Sequence, residues 1–352
     1  MMGRAHALSG VALCLALIAA ALLTAVYSVP TSMALFLAAI CGGAAVLPDI
    51  DHPDATVSQV FGPATWILSK VVNGVSGGHR NGTHSALGCA LLAMVAFGAT
   101  ALHTGNPDTA MQGLLCGGVL LVTTLPVLFL VGPTDQRCYK SEWGGLAAVS
   151  FMVLLALAAV VASLAFGRIV GTVVLGVLLL LALSALARAM RIPGKWDEAA
   201  AAVAAYLAVA PDPYRFHLPA MDLALVPWAL TVGAVIHCWG DAITKGGVPW
   251  AWPLTQADVG LKWIVTNGPT ERRVLVPLFV VAIGCGIAVL VNPAVGFLCG
   301  LSLAWLIAQA SDGRKKSSGK RKAGGKRPAR KPAAKKPATR RRTTARTGGR
   351  SR

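Results

Sequence analysis

Acidic residues are scarce in this chain. Its 352 residues include 14 Asp and Glu, and charged residues of both signs make up 13% against 55% hydrophobic. That balance excludes an ordinary soluble globular domain and points to a polytopic membrane protein; the mean hydropathy of +0.64 agrees. The eight cysteines form no CxxC pair and lie mostly inside apolar runs. Neither a disulfide framework nor a thiolate metal site is expected of them, and they read as small core hydrophobes. The apolar runs do not alternate with polar residues, which excludes strands and leaves helices. Acid is missing altogether from Arg314 to Arg352, a stretch that holds 18 of the 32 Lys and Arg. The remaining 14 basic residues match the 14 acidic ones, so the formal charge of +18 belongs to the tail alone.

A hydrocarbon core ~30 Å thick needs roughly 20 apolar residues as helix. Apolar runs of suitable length stand at 8–28, 31–47, 84–103, 111–131, 144–166, 169–187, 222–239, 274–292 and 294–309, with a weaker alanine-rich segment from Glu198 to Ala210. The expectation is an all-α, polytopic transmembrane helical bundle of about 9–10 spans. The first span reads as a retained helix and not a cleaved signal, being long for that purpose. Residues 1–312 form the membrane domain. Residues 313–352, built from Lys, Arg, Ala, Pro, Gly, Ser and Thr, form a disordered tail with nothing apolar to bury. Such a tail suits anionic lipid, and alternatively nucleic acid bound through its phosphates.

What is present in strength is histidine at the ends of spans. Five of the seven histidines fall in four short polar segments: His6; Pro48-Asp49-Ile50-Asp51-His52-Pro53; His79-Arg80-Asn81-Gly82-Thr83-His84-Ser85; and His237 with Asp241. Imidazole and carboxylate are the ligand set of a zinc-, manganese- or iron-type site. Ionisable groups are costly inside a membrane, so their concentration in four places predicts one assembled site at a membrane face. Pro48 and Pro53 bracket a turn in which Asp49, Asp51 and His52 can converge on an ion. His237 and Asp241 are four apart and share a helix face, the device of paired ligands on one helix. Thr83 is expected to cap the next helix, with His84 at its start. Arg80 can fork to two phosphate oxygens, and Trp250 and Trp252 read as an interfacial aromatic belt.

Ligands must meet on one side of the membrane. His6 precedes span one and 48–84 follows span two, so those segments share a face. His237 returns to it only if the 198–211 segment also crosses, or partly crosses, the bilayer. Both termini then lie on the site face, and the basic tail makes that face cytoplasmic.

Together these segments resemble the YdjM-type family, LexA-regulated, membrane-bound predicted metal-dependent hydrolases. The resemblance rests on an N-terminal His (His6), the Pro48–Pro53 turn, the His79–Ser85 segment, and His237-x-x-x-Asp241 leading into Gly247-Val248-Pro249-Trp250-Ala251-Trp252-Pro253. It implies metal-dependent hydrolysis; the position of the site at the cytoplasmic face of the cell membrane makes an ester or phosphoester, with a lipid headgroup the natural substrate, the expected target of metal-activated water. His6, Asp49, Asp51, His52, His79, His84, His237 and Asp241 are the candidate ligands for one or two divalent ions, zinc or manganese. Asp51 is the candidate base or bridging group, and Arg80 orients a phosphate. Two other classes remain open. One is a metal-ion or proton transporter, whose ligands should lie at mid-membrane depth. The other is a non-enzymatic scaffold that recruits partners through its tail.

Overall fold

The computed structural model describes residues 3–24, 29–131, 167–191, 196–210 and 223–292. The predicted spans at 144–166 and 294–309 and the tail at 313–352 lie outside the described residues. Those described form helices α1 (Gly3–Leu23), α2 (Thr31–Ala44), α3 (Pro63–Val75), α4 (Ala86–Thr104), α5 (Pro107–Val122) and α6 (Thr124–Val131). They continue with α7 (Gly167–Ala189), α8 (Trp196–Val209), α9 (Val226–Ile243) and α10 (Val276–Val291). Among the described residues there is no strand. Two isolated bridges, Thr244 to Ile264 and Val248 to Val259, tie together the loop after α9.

Seven of the described helical stretches are long and apolar enough to cross a membrane: 3–23, 31–51, 86–104, 107–129, 167–189, 223–243 and 271–291. α8 has 14 residues, and at 1.5 Å per residue it reaches about 21 Å, short of the ~30 Å hydrocarbon core.

Glycine sets how closely the central helices approach. α1 and α9 both pack on α2. A Cβ on Gly10 of α1 would come within 2.7 Å of the Cys41 carbonyl oxygen and 2.9 Å of the Ala45 Cβ. A Cβ on Gly233 of α9 would overlap the same Cys41 carbonyl. Two helices thus close on one backbone group of α2, a contact open only to a residue without a side chain. The same device recurs where Gly113 of α5 sits against Phe97 of α4. On the outside, Leu114, Leu115, Val119 and Val122 of α5 and Val280 and Val281 of α10 are exposed, as lipid-facing positions should be.

α3 inverts the usual pattern of a surface helix. Thr65 and Ser69 are buried, whereas Trp66 (46%), Ile67 (58%), Leu68 (41%) and Val71 (51%) are exposed. In water that arrangement would waste the apolar face; against lipid it is the expected one. Its polar stripe continues to Asn73, whose side-chain amide donates to the Asp51 carbonyl at 2.7 Å. At 13 residues it is too short to span, so hydropathy alone does not mark it.

Candidate metal centre

Gly10 lies one turn after His6, and Gly233 lies one turn before His237. The close packing on α2 therefore brings the two imidazoles face to face, with ring centroids 3.9 Å apart and planes 22° from parallel. Asp241, one turn beyond His237 on α9, places Oδ1 3.3 Å from His6 Nε2. All three side chains are buried. They form one group able to hold an ion, with ligand atoms within 4.8 Å of one another.

A second group is carried by loops. After α2 the chain makes a tight 3-10 turn, Leu47–Asp51, with Pro48 at its start. The turn sends Asp49 and Asp51 to different places. Asp49 Oδ1 stands 3.4 Å from His84 Nε2 and 3.6 Å from His237 Nε2, and Asp49, His79 and His84 make the second candidate ion-holding group. Asp51 is fully buried and spends its carboxylate on the loop: His79 Nδ1 is at 2.8 Å, the Arg80 backbone N–H donates at 3.1 Å, and the Thr83 hydroxyl donates to Oδ2. Arg80 adopts a left-handed φ of 67°, a conformation that L-residues adopt only when their surroundings hold them. Its backbone bond to Asp51 supplies that hold, and its side chain turns to Asp241, Nη2 to Oδ2 at 3.2 Å.

Hydrogen bonds fix the ring tautomers. His237 Nδ1 donates to the Ala45 carbonyl at 2.8 Å, so its Nε2 carries the lone pair when the ring is neutral. The Thr83 hydroxyl proton goes to Asp51, so Thr83 Oγ1 accepts from His84 Nδ1 at 3.0 Å. His84 Nε2 is then also a lone pair, and it faces His237 Nε2 at 3.0 Å. Two lone pairs at that separation repel unless a cation lies with them. Neither ring nitrogen of His6 has a hydrogen bond although the ring is fully buried. Among the described side chains, Asp49, Asp51 and Asp241 outnumber the Arg80 guanidinium beside them, an excess of negative charge while the imidazoles are neutral. A buried excess of charge is costly without a counter-ion. Proton occupancy answers the same deficit: burial pulls the His84 pKa down, but Asp49 and Asp51 outweigh it and push it up to about 9.

The structure thus assembles His6, Asp49, His79, His84, His237 and Asp241, with Asp51 and Arg80 bonded to them. His52 is the exception. Its ring packs edge-on to His79 at 4.6 Å, but Nδ1 accepts from the Asp54 backbone N–H, and it belongs to neither group. Thr83 does not cap α4: Ser85 does, accepting from the Gly88 N–H at 3.2 Å. Trp250 and Trp252 are buried, not a belt; Trp250 Nε1 donates to Thr123 Oγ1 at 3.0 Å. Sequence reasoning missed Thr83 as the link between His84 and Asp51, and Asn73 as the brace under Asp51. Asn73 had a signal in the 65, 69, 73 polar spacing of an otherwise apolar helix; the Ala45 carbonyl, a backbone group, had none. His103 sits at the far end of α4 with Thr172, apart from the site, and His217 lies outside the described residues.

All six assembled groups fall at one end of their spans. No curated protein and no solved structure matches the chain. The family of YdjM inner membrane proteins matches residues 1–190, which carry His6 and every loop-borne ligand, while α9 completes the site from beyond that stretch. With the match covering more than half of its length, the chain belongs to the YdjM inner membrane protein family.

Proposed function

We propose that this protein is a membrane-embedded, metal-dependent hydrolase acting on an ester or phosphoester at the cytoplasmic face. The observation that carries the reading is the 3.0 Å approach of the His84 and His237 Nε2 atoms, a separation that calls for a shared cation or proton, beside the buried ring of His6, whose nitrogens make no hydrogen bond. His6, His237 and Asp241 would hold one divalent ion, and Asp49, His79 and His84 a second. Six donors exceed the four of a typical structural zinc site, which favours two ions, zinc or manganese. A divalent ion held there would supply an activated water, its pKa lowered to ~7, and Lewis-acid polarisation of a substrate oxygen.

The chain's own residues have separate tasks. Asp51 orients His79 directly and His84 through Thr83, the carboxylate–histidine arrangement that fixes ring direction and raises ligand basicity. With its oxygens committed to those bonds, Asp51 is a positioning residue and not the base first expected of it. Arg80 is anchored on Asp241 with about a third of its side chain exposed (31%), and its guanidinium is placed to orient a phosphoryl oxygen. Burial of the remaining ligands excludes bulk water from the far side of the site.

Depth favours hydrolysis over transport. The ligands stand in the first turn of α1, in the loop before α4 and in the last turns of α9, not at mid-helix. The test is release of fatty acid or headgroup phosphate from vesicles of phosphatidylethanolamine and phosphatidylglycerol by protein purified in mild detergent. Release should vanish on chelation, return with zinc or manganese, and be absent in His84→Ala. Release indifferent to chelation contradicts the proposal; zinc or manganese flux into liposomes without release favours the transporter.

A further inference from the structure

An apolar cavity of about 410 Å³ adjoins the centre. Leu68 and Val72 of α3, Leu91 of α4 and Leu178 of α7 form its walls, and Ala234 and Cys89 lie at its inner side. Pro48 and Thr83, the neighbours of Asp49 and His84, also border it. It therefore reaches the backbone that carries two of the ligands. At the other side it meets the lipid-facing surface, because Leu68 and Val71 both line the cavity and belong to the exposed apolar face of α3. Trp252, buried against Gly77 and Gly82, closes the loop side.

We propose that this cavity holds one hydrocarbon chain of a membrane phospholipid, drawn in past α3 from the surrounding bilayer. A water-filled role is excluded by the lining, which offers almost no polar group to hydrate. A bilayer lipid is the occupant that fits, since the cavity opens at a helix face built for lipid and ends beside cation-binding groups and the Arg80 guanidinium. The headgroup would then lie at the His/Asp centre; that placement rests on the hydrolase reading, whereas occupancy of the cavity does not. Specificity would follow from chain length and shape. A chain that enters from the bilayer is already out of water, so selection comes from van der Waals contact with the walls, and chains too short to fill the cavity should be poorer ligands.

The experiment is photocrosslinking in nanodiscs of phosphatidylethanolamine and phosphatidylglycerol containing a phosphatidylglycerol with a diazirine midway along one acyl chain. Crosslinked peptides are mapped by mass spectrometry. Bulk lipid should label outward residues such as Leu115 and Val119. The cavity predicts additional labelling at Ala234 and Cys89, each 1% exposed, which bulk lipid does not reach. Val72→Trp should cut the inner labelling at least 10-fold and leave Val119 unchanged. His84→Ala should retain it, because the chain site does not need the metal. Labelling confined to outward residues in the wild-type protein overturns the proposal, whatever the hydrolysis assay gives. Inner labelling without any turnover would leave the cavity standing and reject the hydrolase.

Discussion

The two ligand groups are built in opposite ways. His6, His237 and Asp241 ride on long helices, are fully buried, and meet because Gly10 and Gly233 let α1 and α9 close on α2. Asp49, His79 and His84 ride on turns and meet because the Asp51 carboxylate gathers the loop around itself. His79 keeps a third of its side-chain surface exposed, so the loop-borne half is the one that a substrate can approach. Helix packing gives a rigid floor and loop hydrogen bonds give an accessible roof, the division of labour that the proposed function calls for.

That contrast can be broken from the floor. Gly233→Leu forces a side chain into the Cys41 carbonyl and should separate His237 from His6. Overpacking of this kind costs typically 1–3 kcal/mol of stability, but the effect on the centre should be total, with bound metal and turnover both lost while helix content by circular dichroism survives. Metal content equal to wild type would show that the helix-borne group is not set by glycine packing.

The roof should fail more gently. Asp51→Asn removes the charge that aligns His79 and His84 and should lower metal affinity and turnover by roughly 10–100-fold without abolishing either. Complete loss in isothermal titration with zinc would make Asp51 a ligand after all. The roof should also be the half that responds to pH. In metal-free protein the His84 pKa stands at about 9, above its ordinary value of 6.5, and an ion must displace that proton. Apparent zinc affinity should therefore fall as pH drops, approaching ten-fold per unit below about 9 for one displaced proton. The metal-free fold should follow the converse linkage, read by thermal melts across pH. Its stabilisation from protonated His84 is present below about 6.5 and lost as pH rises through about 9. His52→Ala should be the mildest change, within about 3-fold of wild type in metal affinity, in keeping with a residue outside both groups.

Much of this was legible in the chain. The all-α membrane class follows from apolar runs without alternation, and the ligand segments follow from histidines placed where hydrocarbon spans end. The convergence predicted for His6, 48–84 and 237–241 is the arrangement found, with their side chains gathered in one cluster. Less visible was the division of labour inside Asp49-Ile50-Asp51-His52. Three ligand-type side chains in four residues look alike as letters, but a 3-10 turn points them apart, Asp49 to His84 and His237, Asp51 to the supporting loop and His52 edge-on against His79. Trp250 and Trp252 misled for a similar reason. Aromatics beside a span end commonly sit at the interface, yet the two bridges after α9 fold this loop back over the site and bury them. α3 escaped notice because its exposed face is the apolar one, a signal that requires knowing which side the rest of the protein occupies.

Metal stoichiometry tests the centre most directly. Elemental analysis of detergent-purified protein beside its His84→Ala and His237→Ala variants should find one to two zinc or manganese per chain in the first and a marked loss in both variants. A wild-type protein that holds no stoichiometric metal after incubation with either ion, or variants that hold as much as wild type, would contradict a metal centre built on these histidines.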